Sequence, residues 1–338
     1  MSDLEEPRLR VAGRVVADYV LAPDIDPTLV PRPYLHPVRT LAGTVVTDVL
    51  PADHEWHLGA GLAIADVAGT NLWGGRSYVH GKGYIRLQDH GSIEHVVWQQ
   101  HSDSVLEHDL IWRDHEGAEL LAEHRTISAS PGATQDSWLL TFATTLTNVR
   151  PTPVEIRSPA TNGRGEGAGY GGFFWRLPPT RDLTIEARDP RTADRARGEG
   201  FVNGSALPEL TATGTTSGDA GSAAAGSAAG SATAGKAAGS GAAEWTAAES
   251  AATGSGAAGS ATVRSAVADS AATSGSTSRS IVGKRFALTF SGLAGGDRWF
   301  VRATEYPAIG IAFAYNRVLV LDPGGALSRT FSVTVADA

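Results

Sequence analysis

The sequence predicts an all-β protein, one large antiparallel two-sheet β-sandwich carrying a long low-complexity insertion. Three observations predict it. Apolar residues recur at every second position wherever a period can be read, turn-forming clusters separate these runs, and no long segment carries a clean helical period. The length of 338 residues fits one such body with an insertion, because all-β units commonly reach about 200–250 residues.

The elements follow in order. Leu9, Val11, Val15, Ala17, Tyr19 and Leu21 alternate with polar residues, the pattern of a half-buried strand or of a strand pair bent at Gly13. Leu106, Leu110 and Trp112 share a face opposite Glu107, Asp109 and Arg113. Trp138, Leu140, Phe142 and Leu146 repeat the alternation, as do Leu327, Phe331, Val333 and Val335. Asp89-His90-Gly91, His115-Glu116-Gly117, Ser130-Pro131-Gly132 and Asp322-Pro323-Gly324-Gly325 punctuate them as turns. So many strands in one body favour two sheets packed face to face over a small barrel.

Residues 211–280 break the pattern. Gly, Ala, Ser and Thr fill 60 of these 70 positions. So few large apolar side chains cannot offset an ordering cost of about 1–2 kcal/mol per residue, and the segment is expected to be a disordered insertion. It would join a strand ending near Leu207 to one running from Arg285 to Phe290, with its two ends close together.

Composition excludes several functions. Cysteine is absent, so there is no disulfide, thiolate ligand or cysteine nucleophile. The net charge of −8 and the lack of a basic, aromatic-interleaved patch argue against nucleic acid as a partner. The acidic start lacks the apolar core of a signal peptide and no apolar run approaches a membrane span, so a cytoplasmic protein with no membrane partner is expected. Nothing in the sequence bears on oligomeric state.

The chemistry concentrates in LPADHEWHLGAG, residues 50–61, where Asp53, His54, Glu55 and His57 crowd around Trp56. On an extended strand His54 and His57 would face opposite ways; a single turn would bring them together. Two histidines so spaced can chelate a divalent metal, with His36 as a third ligand, while the purely structural alternative makes one a core residue and the other a solvated one.

A resemblance bears on this choice. The runs PRPYLHPVRTLAGTVVTDVLPADHEWHLGAGLAIADVAGTNLWGGRSYVHGKGY, GAGYGGFFWRLP, DRWFVRATEYPAIGIAFAY and TVADA together resemble the bacterial family that carries the label methane oxygenase PmoA. The resemblance spans the chain from about residue 30 to its end, apart from the insertion. It implies a β-sandwich similar in outline to the galactose mutarotase supersandwich, a scaffold used mostly on sugars. The family's Asp-His…His-Gly pattern falls on Asp53, His54, His57 and Gly59, with one imidazole fewer than the fuller members carry.

Sugar chemistry needs one group to take a proton and another to give one. His54 and His57 are the expected catalytic imidazoles and Glu305, at the end of the strand containing Trp299 to Arg302, the partner base; Glu305 paired with Arg302 is the structural alternative. Arg39 and His36 are candidate substrate anchors, Arg39 by its bidentate fork. Trp73, Tyr170 and Trp175 are candidate stacking platforms, Arg164 a rim residue, and Arg302 a further contact. Three functions stay open: a carbohydrate-active enzyme acting by acid/base chemistry (epimerisation, elimination or hydrolysis) on a sugar or oxidised sugar, without a cofactor; a metal-dependent oxidoreductase with His36, His54 and His57 as ligands; and a non-catalytic sugar-binding module.

Overall fold

A computed structural model describes residues 7–165, 167–217 and 283–338. Two large antiparallel sheets dominate it, one of ten strands and one of nine, with a separate two-stranded hairpin. The nine-stranded sheet runs, from one edge to the other, through Arg195–Arg197, Thr180–Arg188, Glu209–Thr216, Arg285–Ser291, Ala326–Asp337, Ser137–Asn148, Glu119–Pro131, Val105–Arg113 and Ser92–His101. The main path of the other sheet is Arg8–Val11, Arg14–Val20, Tyr34–Val38, Ala60–Val67, Gly172–Arg176, Ala308–Ala312 and Arg298–Arg302. Among the described residues no helix is long and apolar enough to cross a membrane.

The inner faces of the sheets make the core. Phe173 of the ten-stranded sheet lies 5.2 Å from Phe142 and 5.1 Å from Phe331 of the other, ring centre to ring centre. Trp175 meets Phe290 edge-on at 5.5 Å, and its indole N–H donates to the carbonyl of Val46. The expected alternation holds in Ser137–Asn148, where every second residue from Trp138 is buried. The first expected strand is a hairpin turning at Ala12-Gly13, both at positive φ. A bulge there pairs Leu9 with Ala17 but Arg10 with Val15, so Val16 rather than Val15 is buried.

Two expectations are corrected. Trp175 does not face a ligand: it sits in Gly172–Arg176 with Phe173 on the inner side and is fully buried. The insertion does not begin at Thr211, because residues 211–216 complete the strand Glu209–Thr216, paired with Thr180–Arg188 and Arg285–Ser291. Its β-branched threonines suit a pleated surface, and its small residues at 212 and 214 fit beneath the neighbouring strands although they look like linker. The expectation that the chain leaves and returns at one place agrees with the Thr216 amide donating to the Lys284 carbonyl at 3.0 Å. The remainder of the insertion, 218–280, lies outside the described residues.

Candidate functional site

Several central strands of the ten-stranded sheet are buried on both faces. In Gly172–Arg176 and Ala308–Ala312 every residue is buried. Phe173, Trp175, Ile309 and Ile311 belong to the inter-sheet core, whereas Phe174, Ala308 and Ala312 join Ala63, Trp73, Phe300 and Tyr315 in a second apolar cluster on the outer face. Period two thus places Phe174 and Arg176 on one strand, and Phe300 and Arg302 on another, facing away from the nine-stranded sheet. Small residues between them leave room for a layer of larger rings. A Cβ at Gly310 would approach the Phe173 carbonyl oxygen to 2.9 Å.

Trp73 heads that layer, with ring centres 4.9 Å from Phe174 and 4.6 Å from Tyr170. Above it opens a cleft of about 740 Å³, within the usual size range of small-molecule sites. His54, His57, Glu305, Trp73, Tyr170, Arg164 and Arg302 all line it, and so do Trp56, Arg76, Tyr84, Glu199 and Tyr306.

Residues 50–57 reach the cleft as a loop of two tight turns. The His54 amide donates to the Pro51 carbonyl and the His57 amide to the His54 carbonyl, each at 2.9 Å. The second turn brings the imidazoles together: their rings stack with centres 4.7 Å apart and planes inclined by 14°. Buried Arg32 holds the loop from below, donating to the carbonyls of Leu29, Val30 and Trp56. Gly74 and Gly75, both at positive φ, let the neighbouring chain pass beneath Trp56, since a Cβ on either would lie 2.6 Å from a Trp56 atom.

The loop's charges are ordered from the inside outward. Arg176, nearly buried, donates through Nη2 to both oxygens of Asp53, at 3.0 and 2.9 Å. Asp53 Oδ2 lies 3.2 Å from His54 Nδ1. Burial raises the Asp53 carboxyl, but the Arg176 hydrogen bond and charge, with help from His54, leave it below the ordinary carboxylate range. Burial holds His54 below the usual imidazole value, an effect opposed by Asp53 and more weakly by Glu305. His57 sits between Trp73, Phe174 and Tyr306, and burial pushes its imidazole well down. Both imidazoles are therefore neutral near pH 7. Burial pushes the Tyr306 hydroxyl up to about 12, so it keeps its proton.

Of the residues singled out in the sequence, seven meet in the cleft and three do not. Arg39 is held by Asp18 at 2.7 Å, and His36 Nδ1 by the Thr47 hydroxyl at 3.0 Å; neither lines the cleft, and Trp175 is in the core. Burial and the Arg39 charge lower the His36 imidazole to about 4. Nor do His36, His54 and His57 form a ligand set: among the described residues no three His, Cys, Asp or Glu side chains are grouped to hold a metal ion. Arg302 takes Glu199 as its ion-pair partner at 3.8 Å, and Glu305 has no ion-pair partner among the described residues. Sequence reasoning noticed Asp53 but gave it no role, and it missed Arg176 and Tyr306. The signals were present, since Asp53 adjoins His54, Tyr306 adjoins Glu305, and Arg176 is two residues from Phe174 on the same strand face.

The chain belongs to a family of unknown function, DUF6807, whose model matches residues 6–338. No curated protein matches it. The family description carries no activity, so the site is read from its own chemistry.

Proposed function

We propose that the protein is a carbohydrate-active enzyme performing acid/base chemistry on a sugar held in the cleft. One observation carries the reading: a neutral imidazole, oriented by a carboxylate, stands with Glu305 at the mouth of an aromatic-floored cleft. Sugar rings present apolar C–H faces that pack on aromatic rings and hydroxyl edges that need polar partners. The cleft offers both, with Trp73, Tyr170 and Tyr306 against His54, Glu305 and Arg302.

The chemistry follows from the charge order. Nδ1–H of His54 donates to Asp53, which leaves Nε2 as a proton acceptor. The imidazolium formed on accepting a proton is stabilised by Asp53, itself fixed by Arg176. In an elimination the same imidazolium gives that proton to the leaving oxygen, which departs as water or an alcohol, so His54 is neutral again and the proton count closes, while Glu305 accepts a hydrogen bond from a substrate hydroxyl. His57 packs flat against His54 and keeps its ring in place. Tyr306, protonated and 4.2 Å from His54 ring to ring, is available as a hydrogen-bond donor to a developing oxyanion.

The test is a panel of mono- and disaccharides, including oxidised sugars, followed by proton NMR with wild-type, His54→Gln and Glu305→Gln protein. Turnover by wild type with a loss of at least about 100-fold in each variant supports the assignment. Unchanged turnover in both variants removes it. Tight binding of a glycan without product, indifferent to either substitution, makes the protein a binding module instead.

A further inference from the structure

The two ends of the cleft differ in charge, and the difference points to the kind of sugar it takes. One end holds the proton-handling groups. From there a continuous line of side chains leads to the other: His57 meets Trp73 at 5.8 Å, Trp73 meets Tyr170 at 4.6 Å, and the Tyr170 and Tyr84 hydroxyls lie 3.2 Å apart. Arg164 closes the line, its Nη1 donating to the Tyr84 hydroxyl at 2.9 Å and its guanidinium lying 4.8 Å from the centre of the Tyr84 ring.

That guanidinium is aimed but not neutralised. Stacking and the Tyr84 hydrogen bond fix its plane, while its Nε and Nη2 donors have no partner among the described residues. Arg76 lines the same cleft and likewise has neither a hydrogen-bond nor an ion-pair partner among them. Of the two acidic side chains that line the cleft, Glu199 accepts the amides of Ala303 and Thr304 and pairs with Arg302, and Glu305 belongs to the proton-handling end, where its charge acts on His54 and Tyr306. Two arginines without a carboxylate partner among the described residues therefore face a cleft whose imidazoles are neutral. A planar guanidinium with two free donors matches a carboxylate bidentately.

We infer that the substrate is a carboxylated sugar, a uronic acid or a glycoside of one, with its carboxylate held by Arg164 and Arg76 and its ring laid along Tyr170 and Trp73 towards His54. This rests on the carbohydrate reading above and narrows it to an anionic class. Arg39, the anchor expected from the sequence, is replaced in this role by residues on the loops that border the cleft.

The experiment is calorimetric titration of the full chain with methyl glucuronide and methyl galacturonide, their neutral glucoside and galactoside counterparts, and the corresponding 6-phosphates. It is repeated with Arg76→Gln, Arg164→Gln and the double variant. Both side chains are exposed, and unchanged thermal midpoints check that the variants fold. The expected result is a uronide bound at least about tenfold more tightly than its neutral counterpart, a preference that shrinks with added salt and is lost in the double variant. Equal binding of neutral and acidic glycosides, or a preference that survives the double substitution, overturns the inference but leaves the carbohydrate reading standing. Preference for the phosphate over the carboxylate also overturns it. Binding of no sugar at all defeats both.

Discussion

Replacing Asp53 by alanine tests the charge order on which the site depends. Arg176 is 4% exposed in its side chain, whereas Asp53 is 44% exposed. Asp53 supplies the hydrogen-bond acceptors for the Arg176 Nη2 group, and Arg176 Nε and Nη1 are buried with no hydrogen-bond partner among the described residues. Removing the carboxylate thus leaves a buried guanidinium without its counter-charge. A fully enclosed pair broken in this way costs about 3–5 kcal/mol. Solvent reaches Asp53, and exposed pairs contribute only about 0–1 kcal/mol. An intermediate loss of about 1–3 kcal/mol is expected, a fall of about 2–10 °C in thermal midpoint.

The assay is a double-mutant cycle by urea denaturation with Asp53→Ala, Arg176→Met and the pair. Removing both charges removes the orphan, so the double variant should be more stable than the sum of single losses predicts, by about 1–2 kcal/mol. The sign with pH is fixed as well. Because Asp53 is lowered in the folded protein, its contribution is present above the unfolded value of about 3.9 and is lost as pH falls through the lower folded value. The penalty of Asp53→Ala must therefore shrink in acid. Histidine NMR supplies an independent readout: Asp53 raises His54, so the His54 titration should move further down in the variant. Additivity within about 0.5 kcal/mol, or an unmoved His54, would refute the proposed order of charges.

Three further outcomes follow from other parts of the fold. Fully buried Arg125 donates to both oxygens of fully buried Glu123, so Arg125→Met should cost about 3–5 kcal/mol, and adding Glu123→Leu should recover much of it, read by denaturant midpoint. His108, between Tyr19 and His95 and close to Arg125, is lowered to about 2, chiefly by burial; below about 6.5 the unfolded chain binds a proton that the folded His108 refuses. Stability should fall by up to about 1.4 kcal/mol per pH unit on this account as pH drops from 6 towards 3, and His108→Gln should flatten that limb in pH-dependent unfolding. Gly75→Ala would put a methyl group 2.6 Å from the Trp56 ring at a backbone φ of +72°, so the site loop should shift; loss of the wild-type Trp56 environment in tryptophan fluorescence checks this against a Trp56→Phe control.

The architecture was legible because alternation is a local property. Ser137–Asn148 and Ala326–Asp337 announce one apolar face each, and the register between them follows from matching those faces. What alternation alone hid was the second use of the other sheet. In Gly172–Arg176 the apolar residues are unbroken, which reads equally as core or as platform. The structure separates them by parity, Phe173 and Trp175 to the core and Phe174 to the cleft layer. Unbroken apolar strands bounded by glycine indicate burial on both faces, and in this fold the second cover is the layer of rings and loops that carries the cleft.

The candidate site was legible in its residue types and less so in its partners. His54 and His57 attracted notice because ionisable groups are sparse in this chain, and their convergence depended on a turn that Pro51 and Asp53 made plausible. Arg39 misled because an arginine near the histidines in sequence is free to answer a carboxylate elsewhere, and Asp18, across the adjoining strands, lies closer. Arg176 is the converse case. It lies more than a hundred residues beyond Asp53, and the two meet only because Gly172–Arg176 pairs with Ala60–Val67 directly beyond the site loop, where the Arg176 amide donates to the Gly59 carbonyl at 2.9 Å. The long-range pairing that builds the sheet therefore also sets the charge behind His54, so a change that slips this register should disable the imidazole without touching it.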